Sequence, residues 1–143
     1  MAHTTDYFDT FITVAPDSHA DGPIEPPVKE GAAPSVAART YAMIAQAPYA
    51  HTSDDVIFTV WADRRDLPAA ERDTAREEFF AKGQPCLRSS DLGKRYGWGV
   101  HADAGGRVAL YPLGSAEYRA LAEGTAPDGT PVTVTAAMRS SRA

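Results

Sequence analysis

Two alternating runs, Trp98–Asp103 and Arg107–Leu113, flank the short connection Ala104-Gly105-Gly106. Strand-like alternation on both sides of a brief glycine-bearing link predicts a β-hairpin. Alternation within the first strand places Trp98, Val100 and Ala102 on one face and Gly99, His101 and Asp103 on the other. The first set is apolar and is expected to pack into the core. The second sets a histidine and a carboxylate one strand-step apart, beside a glycine that lets another group approach closely.

The remaining chain supplies what such a hairpin needs around it. Residues 7–14, Tyr-Phe-Asp-Thr-Phe-Ile-Thr-Val, predict a first strand rich in aromatic and β-branched residues. Ala15 to Pro34 is a Pro- and Gly-rich stretch of the kind that forms surface loops or lids, and Pro26-Pro27 stiffens part of it. Ser35 caps a helix over Val36 to Ala47, which Pro48 stops. Val56 to Ala62 is apolar nearly throughout and predicts a central strand buried on both faces. Pro68 opens a charged helix to about Lys82, where Glu78 and Lys82 can pair and Gly83 caps the end. One helical turn is expected after Ser90. Ser115 caps a last helix that turns Tyr118, Leu121 and Ala122 inward and stops at Gly124. Asp128-Gly129 then turns the chain into a final strand, Val132 to Met138.

This order predicts an α+β fold: a single-domain two-layer sandwich over residues 1–143, with about five strands in a mixed sheet and two to three helices. Residues 15–34 are a possible lid and residues 139–143 a flexible tail. A chain of 143 residues suffices for one core without a staple, and its single cysteine cannot form an internal disulfide. No basic-then-apolar leader or membrane-length apolar run is present, so a cytoplasmic protein is expected, as monomer or homodimer. The net charge of −5 disfavours nucleic acid as a partner. A local basic patch on an acidic chain suggests a small anionic molecule instead.

Several blocks resemble an uncharacterised microbial family of small proteins defined only as a domain of unknown function. They are His3-Thr4-Thr5-Asp6-Tyr7-Phe8, then Tyr49 with Thr52-Ser53-Asp54-Asp55-Val56, then Glu78-Phe79-Phe80 leading into Gly83. The longest runs from Cys86-Leu87-Arg88 through Lys94-Arg95-Tyr96-Gly97-Trp98-Gly99-Val100-His101. The family pattern has Asn where this chain has Asp6, and Pro where it has Asp91. The resemblance implies no activity, substrate or catalytic residue.

The candidate chemistry therefore comes from the residues. His101 is a candidate general acid/base, because an imidazole titrates near working pH; the alternative is a hydrogen-bonded strand histidine. Cys86 follows a helix end near three cations, which would favour the thiolate a nucleophile needs, whereas a free cysteine is commonly a buried small hydrophobe. Arg88, Lys94 and Arg95 offer an anion site, with Tyr96 and Trp98 as a stacking wall; a solvated positive face is the ordinary alternative. Asp55 is a candidate acid/base or partner for the cations, and otherwise a turn or cap residue beside Asp54. Gly97 and Gly99 do not form a nucleotide fingerprint, since they neither follow a strand nor open a helix. No His/Cys spacing matches a zinc pattern, so no metal is expected.

Together these features predict an enzyme working by acid/base chemistry without metal or nucleotide cofactor on an anionic substrate, as an isomerase, cyclase, lyase or hydrolase. Its pocket is expected where the hairpin meets the Cys86 loop. A non-catalytic ligand-binding or interaction module is the alternative.

Overall fold

A computed structural model describes residues 2–140 of the chain. In order the elements are β1 (Thr10–Thr13), α1 (Val36–Gln46), α2 (Ser53–Arg64), α3 (Ala69–Phe79), a 3-10 turn (Leu87–Ser89), α4 (Asp91–Lys94), β2 (Trp98–Ala102), β3 (Val108–Pro112), α5 (Ala116–Ala122) and β4 (Thr133–Ala136). The fold is α+β. The four strands form one mixed sheet in the order β3-β2-β1-β4, with β1 antiparallel to β2 and parallel to β4. The hairpin forms as its sequence predicts, pairing Val100 with Leu110 and His101 with Ala109. Gly106, at φ +80°, takes the left-handed conformation its turn requires.

The main correction concerns Val56–Ala62. It lies in α2, not in a strand, which leaves four strands where about five were expected. Two physical reasons decide this. Thr52 and Asp55 form a capping box, each side chain accepting from the other residue's backbone amide, so the helix start is written just upstream of the apolar run. The helix is also buried on two sides. Val56 and Val60 join the main core with Ile12, Ile44, Val100 and Val108, while Phe58 and Ala62 pack with Phe80 beneath α3. A helix covered on two sides reads as apolar all round, like a central strand. Burying Val56, Phe58 and Val60 contributes about 1.5–3 kcal/mol each, more than any β preference of branched residues removes.

The sheet is covered on both faces, so the expected two layers become a sheet with helices on either side. Ile12, Val100, Ala102 and Val108 point towards α1 and α2. Phe11 points the other way, against Tyr118 and Leu121 of α5. Gly99 sits under that second cluster: a Cβ there would lie 2.4 Å from the Phe11 ring and 2.8 Å from Tyr118. Five α-helices are present among the described residues, against the two or three expected. The unexpected one is α2; the short α4 is the single turn expected after Ser90. The tail expected at residues 139–143 lies partly outside the described residues, and Ser140 donates its amide to Asp17 at 2.9 Å.

The stretch between β1 and α1 has no regular structure but is tied down. Ile24 donates its amide to the Tyr96 carbonyl at 2.8 Å, and the Trp98 indole donates to the Ile24 carbonyl at 3.0 Å. Gly97, at φ +76°, approaches Gly22 so closely that a Cβ would meet its carbonyl oxygen at 2.3 Å. No helix among the described residues is long and apolar enough to cross a membrane.

Candidate functional site

Two hollows collect the polar side chains. The larger, about 580 Å³, is a groove between α1, α2, α3 and the Cys86 segment. Its walls are largely apolar, with Ile57, Val60, Trp61 and Phe79 prominent; the Trp61 and Phe79 rings pack tilted at 49°, with centroids 5.0 Å apart. The lining also includes the polar groups Arg64 and Glu78 from the helices and Lys82, Gln84, Ser89 and Ser90 from the segment after α3. The helix ends at Phe79, short of the expected Lys82, and Glu78 and Lys82 do not form the expected ion pair. The ion pairs among the described residues are Arg72–Asp63, Arg76–Asp55 and a loose Arg95–Asp91 contact at 4.0 Å.

Cys86 lines this groove. Its sulfur lies 3.4 Å from the Tyr7 hydroxyl, which also feels Arg88. The thiol contact and burial together push the Tyr7 phenol above its ordinary range. Arg88 itself is engaged structurally: its Nε donates to the Ala136 carbonyl at 2.8 Å, and its own carbonyl accepts from Met138. It pins the end of β4 to the Cys86 segment.

The smaller hollow, about 210 Å³, lies at the end of the sheet where three turns converge. Its lining includes Asp9, His101, Asp103, Asp128 and Thr130. His101 is 5% exposed and points to the α5 side of the sheet. Its Nδ1 lies 2.8 Å from the Tyr49 hydroxyl, which lies 2.6 Å from the Tyr111 hydroxyl. The other ring nitrogen, Nε2, is buried and has no hydrogen-bond partner. Leaving such a group unsatisfied costs about 1–3 kcal/mol. Burial lowers the His101 pKa, opposed by the fields of Asp103, Asp128 and Asp9, and the net direction is down. The imidazole is therefore neutral near pH 7. Burial, with the Tyr111 hydrogen bond, pushes the Tyr49 phenol strongly upward, so it too keeps its proton.

Neither of these two hollows is shared between the hairpin and the Cys86 loop. Cys86 faces the larger cavity and His101 the smaller, and the two linings have no residue in common. Arg88, Lys94, Arg95, Tyr96 and Trp98 line neither. Arg95 is solvated, its side chain 70% exposed, while Tyr96 and Trp98 hold the loop at Ile24. No residue of 15–34 lines either hollow. Asp55 is occupied by the α2 capping box and by Arg76 at 2.9 Å; the amide of Thr52 and the guanidinium outweigh burial and lower its pKa. Asp54 accepts from the Thr5 amide and from the Thr4 and Thr5 hydroxyls, fixing the N-terminal segment to α2.

Sequence reasoning missed Tyr49, Tyr111, Asp9 and Asp128. The hairpin register carried a signal for Tyr111, which pairs with Gly99 and so shares the His101 face. Tyr49 had none, because it reaches Nδ1 from a loop at φ +60°. Among the described residues no group of three or more His, Cys, Asp or Glu side chains is arranged to hold a metal ion. No curated protein and no solved structure matches the chain. The sequence does match the profile of a family of unknown function, DUF6157, across residues 2–143, and the chain belongs to that family.

Proposed function

We propose that the protein binds a small organic molecule with an apolar, ring-containing or branched body and an anionic end in the groove formed by α1, α2, α3 and the Cys86 segment. The observation that carries this reading is the groove itself. Its volume of about 580 Å³ falls within the roughly 300–1,000 Å³ of small-molecule sites. Such sites combine apolar walls with a few polar groups that orient the ligand. Trp61 and Phe79 supply flat apolar surface. Arg64 and Lys82 are rim cations without ion pairs among the described residues, and they favour a carboxylate or phosphate at the ligand's end. Ser89, Ser90 and Gln84 offer hydrogen bonds, and the Cys86 thiol faces the bound molecule.

The test uses tryptophan fluorescence. The chain has two tryptophans, so a Trp98→Phe background leaves Trp61 as the reporter. Titration with aryl and branched alkyl carboxylates and phosphates is expected to give a saturable change, with a matching rise in melting temperature. Ala75→Phe, which fills the groove from α3 without adding a second indole, is expected to abolish both. Saturable binding that survives Ala75→Phe, or none with any member of the panel, overturns the reading.

A second reading keeps the acid/base enzyme expected from the sequence, with His101 as the proton-transfer group. Its support is a neutral imidazole oriented through Nδ1 by Tyr49. Against it, the three carboxylates beside that imidazole repel an anionic substrate.

A further inference from the structure

We propose that the hollow enclosed by Asp9, His101, Asp103 and Asp128 is a second site, which binds a small primary ammonium or guanidinium group. The inference does not rest on the groove reading, since it concerns a different cavity and ligands of opposite charge; with the second reading it shares only His101 and the surrounding hollow.

Three features of the hollow converge on that class. The first is charge. Asp9, Asp103 and Asp128 line it and no cationic side chain does. Arg107 passes close to Gly105 but makes no ion pair with Asp103. Two of the carboxylates are already oriented. Asp103 accepts from the amides of Gly105 and Arg107 through Oδ1, and Asp128 accepts from the Thr130 amide through Oδ1. Each keeps a second oxygen for a ligand.

The second is His101. More than nine-tenths of this side chain is buried, one ring nitrogen is held by Tyr49, and the other has no partner. In the tautomer this site requires, Nδ1 donates to the Tyr49 oxygen and leaves a lone pair on Nε2, and the Tyr49 hydroxyl keeps its proton while donating to the Tyr111 oxygen. That lone pair accepts an N–H. The hollow thus offers acceptors on several sides, and a ligand that donates several hydrogen bonds satisfies them together. The lining contains no aromatic cage of the kind that holds quaternary ammonium, so N–H donors are required.

The third is backbone strain. Asp9, at φ +44°, and Tyr49, at φ +60°, are two of the three non-glycine residues with left-handed dihedrals among the described residues. One lines the hollow and the other fixes its imidazole. The Asp9 amide donates to the Asp103 carbonyl and its own carbonyl accepts from Thr133, which holds the conformation in place. The volume of about 210 Å³ is below that of drug-sized sites and suits a ligand of few heavy atoms. No trio of these side chains is arranged to chelate a metal ion.

The experiment follows the His101 ring resonances by NMR during titration of the full chain. The probes are methylammonium, ethanolamine and guanidinium chlorides, with tetramethylammonium chloride, sodium acetate and zinc chloride for comparison. A saturable shift is expected for methylammonium, ethanolamine and guanidinium with Kd of about 1–10 mM. Tetramethylammonium and acetate are expected to give none. Asp128→Asn and Asp9→Asn, which keep shape and tolerate the local backbone, are expected to weaken binding by about tenfold each. Asp128 is exposed, so its variant tests the charge without disturbing the core. A shift caused by acetate, insensitivity to both Asn variants, or zinc saturating the site where the ammonium ions do not, overturns the assignment.

Discussion

At the scale of single residues, His101 shows how position sets chemistry. From sequence His101 reads as an imidazole titrating near its unperturbed value of about 6.5. Burial outweighs the carboxylates and lowers it from 6.5 instead. The consequence for stability follows from linkage. With the folded pKa below the unfolded one, the unfolded chain takes up the proton first as the pH falls. The contribution of His101 is therefore intact above about pH 6.5 and is lost as the pH falls towards the folded pKa. An NMR titration of its ring carbons is expected to give a midpoint below 6.5, and denaturant midpoints are expected to fall over the same acidic range. A midpoint above 6.5 would show that the carboxylates prevail. Asp55 runs in the same direction at lower pH, since its pKa is lowered and its stabilising ion pair fades as it protonates.

At the scale of elements, α2 carries most of the lesson. Its start is fixed by Thr52, which accepts from the Asp55 amide at 3.1 Å, and by Asp55, which accepts from the Thr52 amide at 3.0 Å. The same helix end binds the N-terminal segment through Asp54 and takes a further cap from Asp6, which accepts the Asp54 amide at 2.9 Å. The family-like blocks around Asp6 and Asp54 thus meet at one helix N-terminus, where acidic groups are favoured. Thr52→Ala is expected to cost about 0.5–2 kcal/mol in urea denaturation. Hydrogen exchange at the Thr5 and Asp55 amides is expected to accelerate together, because the cap and the latch share one helix end. Unchanged stability would mean that packing of Val56 and Val60 alone fixes the helix start.

At the scale of the whole molecule, the Tyr96–Trp98 segment works as a fastening. Tyr96, Gly97 and Trp98 hold the strap at Gly22–Ile24, and Trp98 stacks on Tyr41 of α1 at 5.2 Å. Trp98→Phe keeps the ring but removes the indole donor. Limited proteolysis of that variant is expected to cut within residues 15–34 several times faster than in the parent, with the core melting little changed. Equal cleavage rates would mean that the single hydrogen bond from the Ile24 amide to the Tyr96 carbonyl suffices. Neither the strap nor Lys94–Trp98 enters the two hollows.

The sequence alone determined the hairpin, its two faces, three of the helices and their Ser35 and Ser115 caps, because each is set by local periodicity and by side chains within three residues. It placed His101 opposite the main core correctly, as alternation requires. Only the tertiary structure decided that Val56–Ala62 is a helix, since an element buried on two sides loses the polar stripe that reveals its period. Only it separated Cys86 from His101, and brought Asp9, Tyr49 and Asp128 to the imidazole from distant turns. Contacts between segments far apart in the chain leave no periodic trace in the residues that make them.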